Sequence, residues 1–380
     1  MDTLPPELIV CIIKKLDIES LRNLYRQNKR LLGICRTHKL TIIKYFLKKY
    51  KVNYKDPTNF IYLRNKVEFG KIEDDLVKVY RLYMNHYDKV HIDFGFTQTT
   101  SIPIYPKLQS LVCHFNKLTS IPPMPNLNAL YCNDNKLINI HAFPNLVRLF
   151  CYDNLLIEIP KMPKLKELYC DNNKLTNIPF IKQLEVLHCD NNNLTKIPPF
   201  INLKFLSCGN NYISNIHMMP ELFELYCADN TIVNIPTFPK LKGLFIQGNN
   251  LIDIPDFPKL SELDCSSNNL TRIPAIQTLQ YLYCNNNRLS EIPFFPRLTN
   301  LECDNNQLYN IPKMVSLTHL ECANNNLTFI PQLPSLEVLY CGNNNLLKSI
   351  PVMSNLKYLN CEGNNLMHVP MMFKLSTIVR

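Results

Sequence analysis

From Leu108 onward the chain alternates apolar and polar positions in a fixed frame that restarts every nineteen residues. Fourteen frames begin at Leu108, Leu127, Leu146, Leu165, Leu184, Leu203, Leu222, Leu241, Leu260, Leu279, Leu298, Leu317, Leu336 and Leu356, and only the step from Leu336 to Leu356 is twenty. The consensus of the frames is L-x-x-L-x-C-x-x-N-x-L-x-x-I-P-x-x-P-x. Leucine at positions 1 and 4 with an apolar residue at 6 gives the period-two pattern of a short strand with one buried face. Stacked frames therefore predict a parallel sheet with one strand per repeat. Asparagine fills position 9 in all fourteen frames, from Asn116 to Asn364. A turn must leave the strand there, and a side-chain amide can serve backbone donors and acceptors on neighbouring rungs. Proline follows position 14 in twelve frames, His141 and His217 being the exceptions, and eight frames carry proline at position 18. Helices do not survive such a density of proline, so the return limb is expected to be extended or polyproline-like.

The pattern L-x-x-L-x-C-x-x-N-x-L resembles the leucine-rich repeat, with cysteine in its third apolar slot. The resemblance covers residues 89–380: a degenerate frame at 89–107 with Ile92, Phe94, Ile102 and Pro103 in phase, the regular frames from 108, and a fragment at 375–380. It implies a solenoid with a parallel β-sheet on its concave face and extended, helix-poor segments on its convex face. Thirteen of the fifteen cysteines occupy position 6, and Ile246 fills that slot in the Leu241 frame. A slot that accepts isoleucine asks for an apolar group, and buried free thiols in a reducing compartment are the expected state. Disulfides or a metal are the alternative, although a single-file column lacks metal-ligand clustering.

Net charge of +10 is unevenly spread. Residues 1–90 carry 19 Lys and Arg against 10 Asp and Glu, while the rest of the chain is nearly neutral with 22 against 21. A solvated basic face explains the first part; no stripe with a recognisable nucleic-acid motif accompanies it. The run "LIVCII" at residues 8–13 is too short for a membrane span and lies between an acid and lysines, so cytosolic synthesis is expected. Scarce glycine and plentiful lysine, asparagine, isoleucine and tyrosine match AT-rich coding.

Residues 4–35 do not repeat. Pro5 and Pro6 suit a first helical turn, and Leu8, Ile9, Ile12, Ile13 and Leu16 follow at helical spacing. Asp17 can cap a second helix with Leu21, Leu24 and Tyr25 inward. One reading is a helical cap on the first rung, which solenoids require. The segment also resembles the F-box: "LPPEL", "LDIESLRNL" and Cys35 stand at that motif's separations, although Arg36, Thr37 and His38 occupy the place of its usual aromatic residue. The resemblance implies that residues 1–38 bind the Skp-type adaptor of a cullin ubiquitin ligase through Leu4, Pro5, Leu8 and Ile12, with Leu16, Leu21 and Leu24 packing behind. Residues 39–88 would form a helical linker and cap. The expected fold class is thus α+β, a small amino-terminal helical domain followed by the solenoid. F-box proteins with repeat arrays occur in eukaryotes and in the large DNA viruses that infect them, which the composition suits.

Side chains at positions 3, 5, 7 and 8 are expected to line the concave face. They include thirteen acids, Asp134, Asp153, Glu167, Asp171, Asp190, Glu224, Asp229, Glu262, Asp264, Glu302, Asp304, Glu321 and Glu362, against one base, Arg148. Position 5 adds a column of rings: Tyr131, Phe150, Tyr169, His188, Tyr226, Phe245, Tyr283 and Tyr340. Rings and carboxylates together predict a groove for a basic protein or peptide client. No Ser/His/Asp set, phosphate loop or catalytic carboxylate pair stands out, so neither an enzyme nor a cofactor is expected. Two functions follow: a substrate receptor with an adaptor at its amino end, or a stand-alone scaffold, decoy or effector resembling the short-repeat effectors of bacterial pathogens.

Overall fold

A computed structural model describes residues 91–102, 104–105 and 107–380. In the frame from Leu203 the strand is Phe205–Ser207, and Leu203, Leu206, Cys208, Ile213, Ile216 and Met219 are its buried apolar side chains. The strand is three residues long because the chain turns immediately after it. Position 8 takes φ between 50° and 56° wherever it is not glycine, from Phe115 through Asn343. Asn and Asp hold most of these places because their short polar side chains tolerate the left-handed region best after glycine.

The described residues form two compact units, 91–136 with 141–145, and 137–140 with 146–380. In the first, β1 (His91–Asp93), β2 (Ser110–Val112) and β3 (Ala129–Tyr131) pair in parallel and in chain order. The second runs through β4 (Arg148–Phe150), β5 (Glu167–Tyr169), β6 (Val186–His188), β7 (Phe205–Ser207), β8 (Glu224–Tyr226), β9 (Gly243–Phe245) and β10 (Glu262–Asp264). It continues through β11 (Tyr281–Tyr283), β12 (Asn300–Glu302), β13 (His319–Glu321), β14 (Val338–Tyr340), β15 (Tyr358–Asn360) and β16 (Thr377–Val379). Within this second unit each strand pairs in parallel with the next, one repeat apart, so Leu187, Leu206 and Leu225 stack in register.

Position 9 closes the turn. The Asn211 amide nitrogen donates to the carbonyls of Cys189, Cys208 and Gly209 at 3.0, 3.2 and 3.0 Å, while its oxygen accepts from the Leu194 N–H at 2.9 Å. The same pattern recurs at Asn192, Asn230 and Asn325. A second buried column lies at position 17, where Met162, Ile181, Phe200, Met219, Phe238 and Phe257 pack beneath the return limb. The twenty-residue frame takes up its extra residue just after Asn344, where Leu346 is exposed and Leu347 is buried.

The expected α+β class is corrected. All regular structure among the described residues is parallel β-strand, with no helix on the return limb, so they form an all-β solenoid. Prolines at positions 15 and 18 remove the amide donors a helix needs and fix φ on the limb. The helical segments expected within residues 1–88, and the adaptor-facing residues Leu4, Pro5, Leu8 and Ile12, lie outside the described residues. Among the described residues no helix is long and apolar enough to cross a membrane.

Candidate functional site

The ring column forms a continuous stack on the sheet face of the second unit. Phe150 lies on Tyr169 and Tyr169 on His188, each pair with centroids 4.3 Å apart and nearly parallel planes. The stack passes from His188 to Phe205 at 4.6 Å, to Tyr226 at 5.3 Å and to Phe245 at 4.3 Å. Phe205 was not among the expected residues, because it stands at position 3. Ser207 leaves position 5 of that rung small, and Phe205 bridges the gap; a small residue at 5 beside an aromatic at 3 is the signal that marks it. Gly243 serves the next step, since a Cβ there would sit 3.1 Å from the Phe245 ring. The ring faces are spent on one another, so a client meets mainly their edges. Tyr131 is half-buried on β3 in the first unit. Tyr283 sits in register between Asp264 and Glu302, and Tyr340 meets Tyr358 at 4.9 Å and His319 at 6.2 Å.

The acids divide by position. At position 8, Asp134, Asp153 and Asp229 occupy the left-handed turn with φ of 54°, 52° and 52°. At position 7, Asp171, Asp190 and Asp304 are half-buried and their Oδ1 atoms accept the N–H of the following rung, from Asp190 at 2.9 Å, Gly209 at 2.5 Å and Ala323 at 2.6 Å. Burial, reinforced by the hydrogen-bonded Asp190 carboxylate, pushes Asp171 up to about 7. Burial, with Glu321 and Glu302 adding, pushes Asp304 up to about 6 against the lowering effect of the Ala323 N–H.

Positions 3 and 5 carry the acids that face outward from the strands themselves. Glu224 and Glu262 flank Gly243 in register, and Asp264 follows on the same strand as Glu262. Burial, then Glu224 and Asp264, raise the Glu262 carboxyl, and burial followed by Glu321 raises Glu302. Among the described residues no lysine or arginine pairs with Glu224, Glu262, Asp264 or Glu302. Glu167 is held by Arg148 at 3.1 Å and Glu321 by His319 at 2.9 Å. Glu362 is exposed beyond β15. Lysines pair away from this face: Lys166 and Lys204 bracket Glu185 at 2.9 and 2.7 Å, one residue before the strands, and Lys240 reaches Glu221. Rungs about 4.8 Å apart lie within the ~8 Å Debye length at physiological salt, so the fields of the unpaired acids add.

The thirteen position-6 thiols are free and buried. Burial pushes the Cys170 and Cys189 thiols far up, and their Sγ–H groups donate to the His188 and Ser207 carbonyls, both at 3.3 Å. Such thiols pack and do not attack. Two groups with metal-ligand chemistry, which the sequence reading did not anticipate, lie on the sheet face: Asp171 with His188 and Asp190, and Glu302 with His319 and Glu321. Register assembles them from adjacent rungs.

A sequence model described as Leucine Rich repeats (2 copies) matches residues 144–183, 182–218 and 315–352. No curated protein matches the chain significantly. Among solved structures the chain is similar to YopM, a leucine-rich effector protein from Yersinia pestis, at 26% identity over 90% of this chain and 99% of that one, with a TM-score of 0.68. It is also similar to the functional domain of InlJ from Listeria monocytogenes, which includes a cysteine ladder: 25% identity, 72% of this chain, 62% of that one, TM-score 0.55. A leucine-rich-repeat protein of Leptospira interrogans shares the fold at 22% identity over 76% of this chain and 93% of that one, with a TM-score of 0.52.

Proposed function

We propose that this leucine-rich-repeat protein is an interaction scaffold that holds a basic protein or peptide on its sheet face. The observation that carries the reading is the group Glu224, Glu262, Asp264 and Glu302: half-buried carboxylates, the first two flanking Gly243 in register, beside aromatic edges, with no lysine or arginine paired to them among the described residues. A client's lysine or arginine would supply the missing charge. Labelled Lys/Arg-rich peptides and matched Glu-rich ones, titrated into the full chain and followed by fluorescence anisotropy, test it. Basic peptides should bind, and more weakly as salt rises. Replacing Glu224, Glu262 and Asp264 with Gln, Gln and Asn should weaken binding by about tenfold or more, on the order of 1.4 kcal/mol. Because the Glu262 pKa is raised, its proton returns at a higher pH than for an exposed glutamate, so binding should begin to fail on mild acidification. Lys161→Glu on the return limb should change nothing. Equal binding of acidic peptides, or an equal effect of Lys161→Glu, sinks the reading.

The finer role depends on residues 1–38. Their F-box resemblance supports a substrate receptor that hands its client to a cullin-type ubiquitin ligase through a Skp-type adaptor, in a cytosol whose reducing conditions suit the free thiols. The likeness to YopM favours a stand-alone effector or scaffold. Co-purification of the full chain with a Skp-type adaptor, lost in Leu8→Asp, supports the receptor; no retention supports the stand-alone scaffold.

A further inference from the structure

We infer that Asp171, His188 and Asp190 form a binding site for a divalent transition-metal ion of the zinc class. One ligand atom from each lies within 4.8 Å of the other two, a spacing that small side-chain rotations bring to coordination distance. The three come from two adjacent rungs, β5 and β6 with the turns that follow them.

Each group is held from outside the cluster. His188 is sandwiched between the Tyr169 and Phe205 rings at 4.3 and 4.6 Å, which fixes the plane of its imidazole. Asp171 Oδ1 is anchored by the Asp190 N–H and Asp190 Oδ1 by the Gly209 N–H, and an ion would take the place of the proton that the two carboxylates share. Outer partners of this kind orient metal ligands. Among the described residues, no hydrogen bond reaches either ring nitrogen of His188, although two carboxylates stand beside it. The other histidine cluster behaves differently: His319 Nε2 is already engaged by Glu321 Oε1 at 2.9 Å, so that imidazole has an internal partner. On the following rung Gly209 has no side chain, and a Cβ there would come within 3.0 Å of Asp190 Oδ1.

One imidazole with two carboxylates selects first-row dications such as zinc, cobalt or manganese over calcium and magnesium, which prefer all-oxygen shells. Three protein ligands leave a position for water or for a group on a client. The inference does not depend on the client's identity.

Titration of the metal-free full chain under reducing conditions with cobalt(II), read by visible absorption, and with zinc(II), read by calorimetry, tests the site. One equivalent should bind, without a thiolate charge-transfer band because the cysteines are buried. His188→Phe keeps a ring in the stack while removing the ligand nitrogen; it should melt like the parent and bind at least about tenfold more weakly. Asp171→Asn with Asp190→Asn should do the same, and Glu302→Gln with Glu321→Gln should leave the equivalent in place. Failure of the parent to bind either ion, binding that survives His188→Phe, or a thiolate band overturns the assignment.

Discussion

Leu206→Ala is expected to lower the stability of the second unit by about 2–5 kcal/mol. Leu206 is fully buried at the centre of β7 and stacks in register between Leu187 and Leu225. Truncation removes apolar contact with both neighbouring rungs and leaves a cavity that closes poorly, because the backbone on each side is tied into a ladder. In a stack where each repeat depends on its neighbours, the loss falls on two interfaces at once. Urea unfolding followed by circular dichroism measures it, with the exposed Lys242→Ala as control, which should stay within about 0.5 kcal/mol of the parent. A midpoint for Leu206→Ala equal to that of the control would contradict the rung geometry.

Asn211→Ala is expected to cost about 1–3 kcal/mol, for a different reason. The carbonyls that Asn211 serves each keep another donor: Cys189 from Asn192, Cys208 from Asn230 and Gly209 from the Asn191 N–H. The Leu194 N–H has the Asn211 oxygen at 2.9 Å as its buried partner and loses it in the variant. Asn211→Asp sharpens the test. It retains an acceptor for Leu194 but forfeits the amide donor and buries a charge among three carbonyls, so it should be worse than alanine. If aspartate proves milder than alanine, the amide's donor role has been overstated.

The nineteen-residue spacing, the leucines at 1 and 4 and the invariant asparagine were enough to set the rungs and their register. Each is one residue type tied to one geometric demand. Position 17 was not legible, because Met, Ile, Phe and Leu interchange there and the column is visible only once burial is known. The acids were half legible. Positions 3 and 5 lie on the strand, and alternation places Glu224, Glu262, Asp264 and Glu302 on its outer face. Extending that alternation to positions 7 and 8 runs past the end of a three-residue strand. Asp153 and Asp229 serve a left-handed turn there, and Asp171, Asp190 and Asp304 cap the next rung's backbone. Phe205 and the Asp171, His188 and Asp190 trio depend on side chains meeting across rungs, which spacing within one frame does not reveal.

The sheet face as the binding surface is tested most directly by labelling carboxylates with carbodiimide and glycinamide, with and without the tightest-binding basic peptide, and reading each site by mass spectrometry. The account predicts that Glu224, Glu262, Asp264 and Glu302 become protected while Glu158, Asp256 and Glu291 on the return limb label as before. Protection of the return-limb acids with the sheet-face acids unchanged would contradict it.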